Sequence, residues 1–301
     1  MQPVLLDMRR EIGSRLFRPV GLLVLLTVAG AVPTVAVEPV KVTVSIPPVA
    51  FLVERIGGHH VDVNVLVGPG KSPATYDPTP KQFAELINAD VFFRLDLPFE
   101  SRLIENIQAA SGHVKVVNLQ QNIDMRRMKS HGDHGKGADD PHSWLDPRNA
   151  KVMAGTICKA LASIRPALEQ KFENNLDKLE TDLDDLHARI SNKLSGLSGR
   201  RLYVYHPAYG YFADAYGLEQ VPVAVQGKQP SARELARLVD QAKKDGAGAV
   251  FVQPQFSQKA AKTLAGAIGA EVVPLDPLAR DYIRNLADIA DKLSDNLSTG
   301  D

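Results

Sequence analysis

Short β-branched runs alternate with helix-forming stretches along this chain, and the alternation occurs in two series. The first reads "KVTVSIP", "PVAFLVERIGG", "VDVNVLV", "PKQFAELINA", "VFFRL", "FESRLIENIQAA" and "VKVVNL". The second reads "RLYVYH", "AYGYFADAYG", "VPVAV", "SARELARLVDQAKKDG", "AVFVQ", "SQKAAKTLAGAIG", "EVVPL" and a last helix from about Arg280. Strands that recur with a helix between them run parallel, because the helix is the crossover that returns the chain to the same sheet edge. Two series therefore predict two parallel-sheet α/β units. In "SARE", Ser231 and Glu234 stand at capping-box spacing, which places a helix start there.

Between the series lies "PALEQKFENNLDKLETDLDDLHARISNKLSGL". Phe172, Leu176, Leu179, Leu183, Leu186, Ile190, Leu194 and Leu197 are spaced by three or four, an apolar stripe on one helix face. Roughly 28 residues at 1.5 Å each would span about 42 Å, enough to run along both units. A coiled-coil seam would use the same stripe, but one this short between two α/β units is better matched to packing on them. A continuous helix there also restricts hinge motion. The expected fold is α/β, with two parallel-sheet domains joined by one long backbone helix. Residues 37–165 form the first domain with a His-containing loop at 128–141, 166–198 the linking helix, and 199–301 the second domain.

The first 36 residues read as a separate object. Arg9, Arg10, Arg15 and Arg18 precede "PVGLLVLLTVAGAV", and small residues follow with "TVA" ending at Ala36. The apolar run falls short of the ~20 residues of a membrane-spanning helix, so a cleaved secretory signal is expected, with an uncleaved anchor as the alternative. Cys158 is the only cysteine, so no intramolecular disulfide forms and no cysteine near the cleavage site carries a lipid. In "AKVMAGTICKALASI" it falls at apolar spacing and reads as a small core residue. Lys+Arg and Asp+Glu are both 35, so no net positive field favours nucleic acid. The reading is a soluble periplasmic monomer.

The stretch "GPGKSPATYDPTP", 68–80, resembles a phosphate-binding loop only superficially. Val65 stands where such a loop needs its first glycine, and Pro73, Pro78 and Pro80 oppose an immediate helix. The histidines are more informative. His131 and His134 lie in the Gly/Asp/Lys-rich "KSHGDHGKGADD", an exposed-loop composition. His142, in "DPHSWLDP", stands beside Trp144 and just before a helix opening at Pro147. His206 ends an apolar strand and Asp276 follows another, and ligands of parallel α/β sheets bind beyond strand C-termini. Taken singly, His206 also suits a core-edge imidazole and Asp276 a turn former. Together, two imidazoles and a carboxylate are a ligand set for zinc.

Four stretches occur in order along the chain: "PGKSPATYDPTP", the His-containing loop followed by "DPHSWLDPRNA", "HPAYGYFADAYGL" and "QPQFSQKAAKTLAGAIGAEVVPLDPL". On these the chain resembles the solute-binding proteins of zinc and manganese ABC importers, of the periplasmic zinc-uptake type, over essentially all of its mature length. It implies two chelatase-like domains on a backbone helix, with His142, His206 and Asp276 as metal ligands. Members preferring manganese carry Glu where this chain has His206, so Zn(II) is the implied cargo over Mn(II). An inner-membrane permease with its ATPase is the implied partner.

One position departs from the pattern. Where the family carries its first histidine ligand, after Ser-Pro, this chain has Ala74. Water at the fourth position, His131 or His134 swinging in, or a site redirected to another ligand would each accommodate the loss. His59 and His60 match a position that is not a ligand and read as surface residues.

Three protein ligands plus water is also the arrangement of catalytic zinc. A hydrolase reading would need a base, for which Glu100 and Asp77 are the candidates. The chain has no HExxH helix and no GxSxG elbow, so binding without catalysis is expected. A metal-sensing role on the same scaffold is the remaining alternative.

Overall fold

A computed structural model describes residues 38–110, 112–128, 138–224, 230–256 and 259–297. The signal expected at 1–36, and His131 and His134, lie outside the described residues. In chain order the first half comprises β1 (Val40–Val44), α1 (Pro47–Gly57), β2 (Val61–Val65), α2 (Pro80–Leu86), β3 (Val91–Arg94), α3 (Glu100–Ala110), β4 (Lys115–Asn118) and α4 (Pro147–Ile164). After α5 (Glu169–Leu194), the second half comprises β5 (Arg201–Val204), α6 (Gly210–Ala215), β6 (Glu219–Pro222), α7 (Ala232–Lys244), β7 (Ala249–Val252), α8 (Lys259–Ile268), β8 (Glu271–Pro274) and α9 (Tyr282–Leu297).

Each half holds a four-stranded, wholly parallel sheet, with order β2-β1-β3-β4 in the first and β6-β5-β7-β8 in the second. The two orders are the same, so the repeated alternation in the sequence is a repeated topology. Helix-covered sheets bury both faces, which is why β7 reads AVFV with all four residues buried. The described residues, from Glu38 onward, form one compact unit.

The apolar stripe is explained by α5. Over 26 residues it buries Phe172, Leu179, Leu183, Leu186, Ile190 and Leu194. Its neighbours are α1 and α4 of the first half and α9 of the second, so the stripe packs within the molecule. Asp182 on its outer side pairs with Arg55 of α1 at 2.5 Å. The halves also meet through Trp144, whose Nε1–H donates to Pro277 O at 2.9 Å while its own carbonyl accepts from Tyr282 Oη at 2.6 Å. Both side chains are at most 2% exposed. Cys158 is buried in α4, as its spacing implied.

Strand order reverses between β1 and β3 in the first sheet and between β5 and β7 in the second, which opens a crevice beyond those strand ends. The first crevice is closed by Glu100. Its carboxylate accepts from Ser45 Oγ, just past β1, from Leu95 N, just past β3, at 3.0 Å, and from Leu97 N at 3.0 Å. Burial pushes this carboxyl from its ordinary 4.5 up to about 7, against the lowering by Ser45, the two N–H groups and Arg94.

Between those values the folded chain holds a proton that the unfolded chain has released. The stability that Glu100 contributes therefore falls as pH rises through this window, by about 3 kcal/mol, and is level above it. Compared by urea unfolding near pH 5 and near pH 8, the parent should lose this much more stability on going to pH 8 than Glu100→Gln does, every other titrating group being common to both. Equal pH dependence in both would remove Glu100 as its source. As a candidate catalytic base, Glu100 is sealed 1% exposed among its donors.

Candidate metal-binding site

The second crevice carries His206. Two residues beyond β5, its backbone is fixed on both sides by the fully buried Gln253 at the end of β7. His206 N donates to Gln253 Oε1 at 3.1 Å, and Gln253 Nε2 donates back to His206 O at 2.7 Å. The imidazole stacks on Phe256, ring centroids 4.9 Å apart. Burial, and then the neighbouring His142, depress its pKa to about 3, with Asp140 opposing. The ring is thus held neutral, the state in which a histidine nitrogen can bind a metal.

His142 comes from the first half. Its segment is anchored upstream by Gln120, whose Nε2 donates to Pro141 O at 2.7 Å and Ser143 Oγ at 2.6 Å. Downstream, Trp144 is anchored to Pro277, and Asp146 caps α4 by accepting from Arg148 N at 2.9 Å. The helix start expected at Pro147 is therefore real. The His142 side chain is 12% exposed, and its Nδ1 lies 2.7 Å from Asp140 Oδ1.

These two imidazoles, 64 residues apart in the chain, meet edge to face with Nε2 3.3 Å from Nε2. Two nitrogens bound about 2.0–2.1 Å from one zinc ion at the tetrahedral angle stand about 3.3 Å apart. The observed separation has the span of a shared ion.

Asp276 sits two residues past β8. Its Oδ1 accepts from Gln255 Nε2 at 2.7 Å and from Leu278 N at 3.0 Å, and Asn285 Nδ2 donates to its carbonyl at 2.7 Å. The Trp144–Pro277 hydrogen bond brings this turn to the His142 segment. Complete burial, and then Asp276, raise the Tyr209 phenol well above its ordinary range. Even so, among the described residues no three His, Cys, Asp or Glu side chains are gathered closely enough to hold one ion. The structure brings His142 and His206 together and keeps Asp276 in its own turn.

Ala74 is exposed on a single 3₁₀ turn, Pro73–Thr75. No helix follows directly. The next, α2, starts at Pro80 behind a Thr79–Gln82 capping box, which disposes of the phosphate-loop resemblance. Tyr76 fixes this loop by donating to Leu66 O and stacking edge-on with Phe99 at 5.0 Å. His59 is exposed and His60 half-buried beside Lys171 Nζ at 2.8 Å, away from the crevice. Sequence reasoning missed Asp140, Gln253, Gln255 and Phe256 as neighbours of the site. For Asp140, the carboxylate two residues before His142 in "DPH" was the available signal.

Two matched parallel sheets braced by one long helix, with paired imidazoles where the halves meet, make up the scaffold of a two-lobed substrate-binding protein. Residues 42–296 match the family model described as zinc-uptake complex component A, periplasmic. The chain belongs to this family. It is 30% identical over 256 residues to a putative metal-binding protein of Chlamydia muridarum, covering 85% of this chain and 91% of that one. It is likewise 30% identical over 234 residues to the high-affinity zinc uptake system protein ZnuA of Bacillus subtilis, covering 72% of each. A crystal structure of ZnuA superposes with a TM-score of 0.81 at 38% identity, covering 86% of this chain and 99% of that one.

Proposed function

We propose that this protein captures Zn(II) between its two halves outside the cytoplasm and delivers it to an ABC importer, a permease with its ATPase. The observation that carries the reading is the 3.3 Å approach of the His142 and His206 Nε2 atoms, the span that one tetrahedral ion requires. Membership of a zinc-uptake family supports the metal and the destination. In this reading Asp276, which the structure keeps in its own turn apart from the imidazole pair, moves onto the ion with Oδ2, the carboxylate oxygen that receives neither Gln255 nor Leu278. Water takes the fourth position, where the family resemblance puts a histidine and this chain has Ala74. The site is built to bind and release: its imidazoles are neutral ligands and the ion undergoes no chemistry.

Competition of the purified, demetallated protein against a chromophoric chelator tests it. One equivalent of Zn(II) is expected, with Mn(II) held more weakly, as the order of divalent affinities dictates for a nitrogen-rich set. Failure to withdraw any zinc from the chelator would refute capture. No helix among the described residues is long and apolar enough to cross a membrane.

A further inference from the structure

Asp140 lies outside the ligand set, yet it is completely buried, which for a carboxylate demands partners that repay its lost hydration. It has them on both oxygens. Oδ1 accepts from His142 N at 3.1 Å and lies 2.7 Å from His142 Nδ1, while Oδ2 accepts from Arg126 Nη1 at 3.2 Å. Arg126 is held in turn by Asp214 of α6, Nε to Oδ2 at 2.7 Å. The backbone repeats the connection. Asp140 N donates to Arg126 O at 2.7 Å, and Tyr211 Oη donates to Asp140 O at 3.1 Å while accepting from Arg126 N at 2.8 Å. The packing of α6 on this pair leaves no room for a side chain at Gly210, where a Cβ would fall 2.8 Å from Asp140 Oδ2 and closer still to Arg126.

A carboxylate only accepts, so the His142 nitrogen facing it carries the proton. The Nδ1–H tautomer leaves the Nε2 lone pair free, and Nε2 is the atom pointing at His206. We propose that Asp140 is a positioning residue for metal capture. It fixes both the tautomer and the ring plane of His142, and the Arg126 clamp ties that setting to α6 of the opposite half. Ligating histidines depend on such partners, whose removal costs about 10- to 100-fold in metal affinity. The affinity consequence rests on the zinc-capture reading above; the tautomer consequence rests on geometry alone.

The test measures two things in the full-length protein: zinc affinity by chelator competition, and the His142 tautomer in metal-free protein by long-range ¹H–¹⁵N correlation. The parent should show a single Nδ1–H form of His142. Asp140→Ala should mix the tautomers and weaken zinc about 10- to 100-fold. Should Asp140→Ala fail to fold, Asp140→Asn, nearly isosteric but uncharged, gives the same comparison with smaller losses. Asp139→Ala, which removes the exposed Arg127–Asp139 pair beside it, should leave both readouts unchanged.

An Asp140 variant with parental affinity and tautomer overturns the proposal, as does an Asp139→Ala that loses as much as Asp140→Ala. If the parent binds no zinc but its single tautomer is lost in Asp140→Ala, the capture reading fails and the positioning of the ring stands.

Discussion

His206→Ala should lose about 100- to 1,000-fold in zinc affinity in the same chelator competition. Apparent binding free energies of structural zinc sites run to about 10–16 kcal/mol over four ligands, so one ligand is worth about 2.5–4 kcal/mol, or about two to three orders of magnitude. His206 is the sharper of the two histidines to test. Its backbone is held independently by Gln253, so the β5 and β7 strand ends should survive removal of the ring. His142 in the variant keeps its own anchors at Gln120, Asp140 and Trp144, so the lost affinity reports the missing nitrogen. An affinity within tenfold of the parent would mean that the paired imidazoles are not where zinc is held.

The second large effect runs the other way. Ala74→His should tighten zinc by about 100-fold, because a fourth protein nitrogen replaces an exchangeable water and closes the tetrahedral shell. Ala74 is exposed on a turn whose neighbours are fixed by Tyr76, so the substitution should change folding stability by no more than about 0.5 kcal/mol. The gain can therefore be read as ligation. X-ray absorption of the loaded variant should show one oxygen neighbour exchanged for nitrogen. Unchanged affinity would place the fourth ligand somewhere other than beside this turn.

If both expectations hold, the natural chain occupies an intermediate position. Its site selects nitrogen-loving ions through two imidazoles yet exchanges its cargo more readily than a fully protein-ligated site. For a carrier that must surrender its ion to a permease, a weaker fourth bond shortens residence, since affinity differences among related sites are expressed mostly in the off-rate.

Much of the architecture was legible in the one-dimensional pattern. Strand-helix alternation dictates parallel sheets, because parallel pairing cannot be made without a crossover, and the apolar stripe of α5 dictates one long helix with a buried face. Both follow from local periodicity, which a sequence displays directly. His142, His206 and Asp276 stood out for a related reason: strand ends in such sheets are where ligands gather.

Distance across the fold is not written locally. That the Nε2 atoms of His142 and His206 approach to 3.3 Å depends on how two separate sheets are set against each other, through Trp144 on Pro277 and α9 on α5. Glu100, a plausible base on the page of letters, became a sealed brace once Ser45 and Leu95 closed around it. Asp140, in a stretch whose composition reads as an exposed loop, is a buried carboxylate with partners on both oxygens.

The sequence by itself determined the repeated parallel topology, the bracing helix and which residue types could ligate a metal, since each is a property of neighbours along the chain. Only the tertiary structure decided which of those side chains face one another, which carboxylates serve the scaffold and which nitrogen of His142 is free. Those outcomes are set by packing between segments more than 60 residues apart, where a shift of about 1 Å separates a shared ion from two unrelated imidazoles.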